Sequence, residues 1–312
     1  MKILEIQDLN VKFTTPIGEV YAVNNASFSL NANETLALVG ETGCGKSVIA
    51  NTIIRLLPQN AEISGNIFYK GNNLLKMSDR EMEKTRQQEI AIIFQNPTLS
   101  LNPLYKIGDQ ISEPLLVHKK INKKEAFTKT KKLLKTMGFQ NPSKFTGMYP
   151  HQLSGGMNQR VLLSISLTLN PSIIIADEPT KGLDNELVRD IIEEFKTVNK
   201  INNSSLLLIT HDLSIARELS DRIIIMYSGD IVEITKTESF FKNPLHPYSK
   251  ILLNSLPERG FNPPKGNSPS MVNIPKGCKF HPRCPHKKKI CSEKTPPIYS
   301  IDEGDVRCYL FQ

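Results

Sequence analysis

Two hydrophobic rhythms alternate along the chain. Short apolar runs, in TLALV (35–39), IAIIFQ (90–95), PSIIIADEP (171–179) and SLLLITHD (205–212), are bounded by polar residues or turn formers. Such runs read as strands buried on both faces, the habit of a parallel sheet covered by helices. Elsewhere the period lengthens to that of a helix. Ser47 to Leu57 has apolar positions at helical spacing and no Gly or Pro before Pro58. Residues 106–138 do the same around the Lys-rich KKEAFTKTKKLLKTMGF and stop near Gly138, and VLLSISLTL (161–169) predicts a third helix. The first 39 residues are β-rich, with SFSL and TLALV parted by Asn31-Ala32-Asn33. GNIFYKG (65–71) predicts another strand, and RIIIMYSGDIVEI (222–234) two strands around a Gly-Asp turn. The pattern predicts one large α/β domain with a helical segment inserted between core strands. A break near Pro244 and a Pro/Gly/Ser linker at 262–270 precede a short tail rich in Cys and Pro.

Length and composition fit that picture. The chain has 312 residues, 39% of them hydrophobic and 22% charged, enough for a folded α/β domain and an appendage. No apolar run approaches the roughly 18 residues that span a bilayer, and MKILEIQDLN reads as a strand rather than a leader. The expected place is the cytosol, with docking onto a membrane protein left open. The net charge of +8 is concentrated: Lys276 to Lys294 holds seven basic residues against one acid, Glu293. The rest is nearly balanced, so no broad phosphate-binding face and no nucleic-acid partner are expected.

The candidate chemistry begins at GETGCGKS, Gly40 to Ser47, between a strand and a helix. It fits the P-loop pattern: Gly40, Glu41, Thr42, Gly43, Cys44 and Gly45 curl backbone N–H groups around phosphate, Lys46 reaches the β- and γ-phosphates, and Ser47 ligates Mg²⁺. IIIADE ends a buried strand with Asp177, a Mg²⁺ ligand through its water shell, and Glu178, a base for the attacking water. LSGGM places Ser154, Gly155 and Gly156 at the start of an apolar helix, a second set of amides for phosphate. One chain has no obvious second phosphate for that loop, so it makes sense facing the nucleotide of another subunit.

In order, GETGCGKS, FQNP, LSGGM, IIIADEP, GLD and THD resemble the ABC-type ATPase subunit family over about residues 1–235. The resemblance implies a P-loop nucleotide-binding domain over 1–243, with a RecA-like core, a β-subdomain and an α-helical subdomain at about 96–160. It implies a head-to-tail pair of subunits closing two ATP molecules, each between one P-loop and the other subunit's LSGGM loop. Gln95 then matches the loop that senses Mg²⁺ and the attacking water, His211 the switch histidine at the γ-phosphate, and Asp184 the loop coupling the two sites. Phe13 stands where the family places an aromatic for adenine, with Tyr21 as a second candidate. Met157 departs from the commoner Gln, and Asn158, Gln159 and Arg160 behind it retain polar groups; Lys181 reads as solvated surface.

NPLHPYSKILLNSLP (243–257) and GCKFHPRCP (277–285) resemble the tails of oligopeptide/dipeptide importer ATPases, whose relatives import nickel or metal chelates. Residues 244–312 then form the C-terminal region of such a subunit. The implied partners are a second ATPase subunit, different or identical, two membrane permeases and an extracytoplasmic solute-binding protein, with the chain at the cytoplasmic face of the membrane. NPTLSLNPLYKIGDQI (96–111) is the expected permease contact. Nickel or metal-chelate uptake is the runner-up. A soluble ABC-type ATPase of translation or repair is more remote, since those usually fuse two nucleotide domains or insert a long coiled coil.

Five cysteines complete the inventory. Cys44 is a small residue inside the loop. Cys278, Cys284, Cys291 and Cys308 lie in the basic tail, separated by five, six and sixteen residues. A reducing cytosol disfavours disulfides, and zinc prefers paired C-x₂₋₄-C spacing. Four thiolates can hold a [4Fe–4S] cluster, whose negative charge the surrounding lysines would offset, and the resemblance implies one because some family members carry it here. Zinc with help from His281 or His286, and four unligated thiols, stay open.

Overall fold

β1 (Lys2–Thr15) and β2 (Gly18–Asn31) pair antiparallel as a long hairpin, and β4 (Ala61–Tyr69) and β5 (Asn72–Asn73) complete a sheet in the order β2-β1-β4-β5. The computed structural model describes residues 1–94, 100–182, 185–260 and 266–312, and of residues 185 and 199–202 the backbone alone. They group into two units, 1–77 with 208–312, and 78–207.

In the first unit β3 (Thr35–Val39) is buried at all five positions and runs parallel to β9 (Arg222–Tyr227). β9 turns into β10 (Asp230–Lys236) through Ser228 and Gly229, both at positive φ (44° and 85°). That is the two-residue hairpin geometry whose twist suits flanking strands. The turn is therefore Ser-Gly, one residue earlier than the expected Gly-Asp, and Asp230 opens the strand. β12 (Gly304–Val306) and β11 (Tyr299–Ile301) extend this sheet beyond β10. α1 (Lys46–Ile53) is shorter than the expected 47–57, because Arg55 takes φ 52° and turns the backbone out of the helix.

The C-terminal residues build part of this unit's core. α9 (Thr237–Lys242) and α10 (Pro247–Asn254) bring Phe240 and Tyr248 against Val39, Ile223 and Tyr227, and Phe280 joins them. The rings of Tyr227 and Tyr248 lie 4.6 Å apart, those of Tyr227 and Phe280 5.2 Å. Such pairs add about 0.5–1.5 kcal/mol each beyond the area they bury. The Glu233 carboxylate, buried on β10, accepts the N–H groups of Leu245 (3.0 Å) and His246 (2.8 Å) and so holds the approach to α10.

His246 caps α10: its Nδ1 accepts the Tyr248 N–H at 3.1 Å. Full burial lowers its pKa to about 3. The unfolded chain takes up this proton near pH 6.5, the folded chain only near 3, so stability falls as pH drops below about 6.5, by up to about 1.4 kcal/mol per pH unit. His246→Asn retains a cap and is expected to flatten the decline in urea stability between pH 7.5 and 5.5; an equal decline in both proteins refutes this.

In the second unit β6 (Ile90–Ile93) runs parallel to β7 (Ile173–Asp177). α2 (Asp79–Gln88) opens with a capping box between Ser78 and Glu81. α3 (Ile107–His118), α4 (Lys123–Thr136), the short α5 (Pro142–Phe145) and α6 (Gly155–Leu167) account for the helical region, and Ile111, Leu134 and Leu163 are wholly buried. Gly138, at φ 78°, ends the α4 turn where the sequence places it. α7 (Asn185–Asn202) is tied to α6 by Arg160, whose Nε lies 2.5 Å from Glu194 and Nη2 2.9 Å from Asp190. β8 (Ser205–Thr210) returns the chain to the first unit. Among the described residues no helix is long and apolar enough to cross a membrane.

Candidate nucleotide site

The loop between β3 and α1 is shaped by close backbone contacts. Gly45 sits at φ 108°, and a Cβ there would lie 2.1 Å from the Ala22 carbonyl oxygen. At Gly40 a Cβ would lie 2.2 Å from the Met226 carbonyl. Neither place admits a side chain. No side chain caps the start of α1, so its first amides and helix dipole suit an anion. Lys46 is buried, and its ammonium donates to the carbonyls of Gly40 (2.7 Å) and Glu41 (3.1 Å). Ser47 follows on the first turn. Burial pushes the Cys44 thiol pKa up, in keeping with an inert packing role. Lysine, hydroxyl and amides together form a donor set for a phosphate chain with an oxygen-ligated Mg²⁺.

The aromatic candidates and His211 belong to the same unit. Ala22 touches it, and its neighbour Tyr21 is exposed, its hydroxyl bonded to Glu19 at 2.5 Å. Phe13 is half-buried and pairs with Val20, whereas Tyr21 pairs with Lys12, so the two aromatics face opposite sides of the hairpin. His211 follows β8 and is exposed; Asp212 then caps α8 (Leu213–Leu219) by accepting the Ser214 N–H at 2.7 Å.

On the second unit, Asp177 ends β7 and Glu178 follows, both buried. Glu178 has φ 51°, a left-handed conformation that costs a non-glycine residue of order 1 kcal/mol. Ser154 caps α6 by accepting the Met157 N–H at 3.3 Å. Gly155 is exposed and faces open space, while Gly156 is buried against Leu187. Asn158 and Gln159 do not supply polar groups to that surface: both are buried, and the Asn158 amide donates to the Pro150 carbonyl at 3.1 Å. They point inward because they lie on the core side of α6. Gln95 and Asp184 lie outside the described residues.

The four tail cysteines line one small cavity together with His281 and His286, and the thiols of Cys278, Cys284 and Cys308 each feel the charge of others in the set. Each sulfur also faces a backbone N–H: Phe280 to Cys278, His286 to Cys284, Lys288 to Cys291 at 3.4 Å, and Leu310 to Cys308. Burial pushes the Cys278 thiol up to about 12. Among the described residues no group of three or more His, Cys, Asp or Glu is gathered to hold a metal ion.

Sequence reasoning missed three contacts to Glu41. Its N–H donates to the Tyr248 hydroxyl at 3.3 Å, Arg283 Nη1 donates to its carboxylate at 3.3 and 3.4 Å, and the Ser268 hydroxyl also bonds that carboxylate. These partners stand more than 200 residues away, and no local signal marks them.

The family profile described as "ABC transporter" matches residues 23–181, and that described as "Oligopeptide/dipeptide transporter, C-terminal region" matches residues 232–291. The oligopeptide transport ATP-binding protein OppD of Salmonella typhimurium is 39% identical over 310 residues, covering 98% of this chain and 92% of that protein. The dipeptide transport ATP-binding protein DppD of Bacillus subtilis is 41% identical over 317 residues, covering 99% and 95%. A dimeric structure of the ATP-binding cassette MJ0796, in a post-hydrolysis state with ADP and Pi, is 26% identical, covering 75% of this chain and 98% of that one, with a TM-score of 0.66. A phosphate loop closed by backbone contact, a buried lysine at its end and near-full-length kinship place this chain in the ABC transporter family, as an ATP-hydrolysing ATP-binding subunit.

Proposed function

We propose that this subunit hydrolyses ATP to drive uptake of oligopeptides or dipeptides through a membrane permease pair. The observation that carries the reading is kinship with peptide-transport subunits over nearly the whole chain, C-terminal region included. Lys46, Ser47 and the amides of Gly40 to Gly45 hold the phosphates, Asp177 and Gln95 attend Mg²⁺, and Glu178 takes the proton of the attacking water. His211 contacts the γ-phosphate and Phe13 the adenine, while Asp184 couples the two sites. Mg²⁺, when bound, offsets charge on the β- and γ-phosphoryl oxygens. Residues 1–243 serve as the cassette, about 96–160 as its helical subdomain, and 244–312 as the importer-type region. The open face at Ser154 and Gly155 suits a phosphate brought by a second ATPase subunit, of the same or another kind. Leu104 and Tyr105, exposed in the expected permease-contact segment, suit an apolar contact with a permease; an extracytoplasmic binding protein loads that permease. The subunit then works at the cytoplasmic face of the membrane.

The four tail cysteines form the donor set we assign to a [4Fe–4S] cluster. Four thiols with four facing amides suit an anionic tetrathiolate group, because N–H donors stabilise sulfur charge. Anaerobically purified protein is expected to contain about four iron and four acid-labile sulfide per chain. One equivalent of zinc without visible absorbance refutes the cluster.

Two measurements test the activity. Lys46→Ala removes a charge-assisted contact worth about 1.5–3 kcal/mol and is expected to weaken Mg-ATP binding at least about tenfold; unchanged binding refutes the nucleotide site. In vesicles holding the permeases, ATP-dependent accumulation of labelled peptides supports the cargo reading. Accumulation of nickel but not peptide overturns it.

A further inference from the structure

Glu41, the second residue of the phosphate loop, is held through three groups. Its N–H donates to Tyr248, its carbonyl accepts from Lys46, and its carboxylate accepts from Arg283 and Ser268. Arg283 is well placed for this: its side chain is only 8% exposed, its guanidinium lies 5.8 Å from the Tyr227 ring centroid, and the Tyr227 hydroxyl accepts from it at 3.2 Å.

Arg283 is also built into the frame of the thiol cluster. The Cys278 carbonyl accepts the His281 N–H at 2.9 Å, and the His281 carbonyl accepts the Cys284 N–H at 3.3 Å, so Arg283 closes a tight turn between two cysteines. The Cys278 N–H donates to the Cys291 carbonyl at 2.8 Å, and at Gly277 a Cβ would lie 2.3 Å from that same oxygen. This frame leaves little slack: moving Cys284 moves Arg283.

We propose that the C-terminal tail sets the ATP affinity of the phosphate loop, with Arg283 as a positioning residue that holds Glu41 while the cysteine frame is intact. The proposal rests on the nucleotide reading of residues 40–47. A loop held before binding loses less conformational freedom when phosphate arrives, whereas a released loop must be ordered by the ligand. Ligation, oxidation or loss of the tail thiols would thus be read out as a change in affinity.

The test is Mg-ATP affinity of the full chain, measured with a fluorescent ATP analogue under anaerobic conditions. Arg283→Ala and Cys284→Ser are each expected to raise Kd about tenfold. The double variant should be no weaker than the weaker single one, because both act through one contact. Arg283→Lys should recover part of the loss, which a purely structural defect would not predict. If Arg283→Ala folds poorly, Glu41→Gln removes the same ion pair without touching the tail and should raise Kd similarly. The proposal is overturned if Arg283→Ala and Glu41→Gln bind within twofold of the parent while Lys46→Ala does not, or if the two losses add in the double variant. If Lys46→Ala also binds normally, the nucleotide reading itself fails.

Discussion

Glu178→Gln is expected to lower ATP turnover by about 10²- to 10³-fold, within the range that a general base contributes, while leaving nucleotide affinity within about twofold. Glutamine has nearly the size of glutamate, so it can fill the buried position at the end of β7 and keep its left-handed backbone. It retains one oxygen for orienting a water and loses the capacity to accept its proton. The loss should fall on kcat, with nucleotide binding separated from it by direct measurement. An ATP-bound dimer should then accumulate, visible by size-exclusion chromatography with Mg-ATP. Turnover equal to the parent's would remove Glu178 from the role of base.

The parts legible in the sequence are those in which a short stretch carries its own physical reason. Gly45 and Lys46 stand out because eight consecutive residues do one job, and the collisions at Gly40 and Gly45 show why glycine is needed there. β3 and β7 stand out because five consecutive buried residues admit few other readings. The end of α1 was less legible: apolar spacing continues to Leu57, yet Arg55 turns the backbone earlier, and periodicity is blind to a single φ. The hairpin at 228–229 shifted by one residue because Ser-Gly and Gly-Asp are both plausible turn pairs. Asn158 and Gln159 read as polar groups retained behind Met157, but the helix phase turns them inward. β11 and β12, three residues each, are too short to leave a pattern, and their pairing with β10 is a long-range event. The seating of the tail was least visible. Phe280, Arg283 and Lys279 meet partners about 50 to 240 residues away, and nothing next to them in the chain announces it.

Lys279 gives the largest stability effect expected. Its ammonium lies 2.7 Å from the Asp230 carboxylate and 2.9 Å from the Ser228 carbonyl, with the two side chains only 10% and 8% exposed. Lys279→Met keeps most of the apolar stem but leaves a buried carboxylate without its partner. Breaking a buried pair in this way costs about 3–5 kcal/mol, measurable as a lower urea midpoint. Burial already pushes the Asp230 pKa up and Lys279 opposes it, so the variant should hold this carboxyl higher still. A raised folded pKa means that the folded state binds the proton first as pH falls, so the deficit should be larger at pH 7.5 than at pH 5. Lys279→Met with Asp230→Asn removes both charges and should recover much of the loss, as buried pairs replaced together often do. Because Lys279 follows Cys278 and Phe280 packs on Tyr227 and Tyr248, the single variant should also expose the tail amides to faster hydrogen exchange than β6 and β7, which belong to the second unit. A deficit below about 1 kcal/mol, the median range of an exposed pair, would mean that water reaches this site and that aromatic packing, rather than the ion pair, seats the tail.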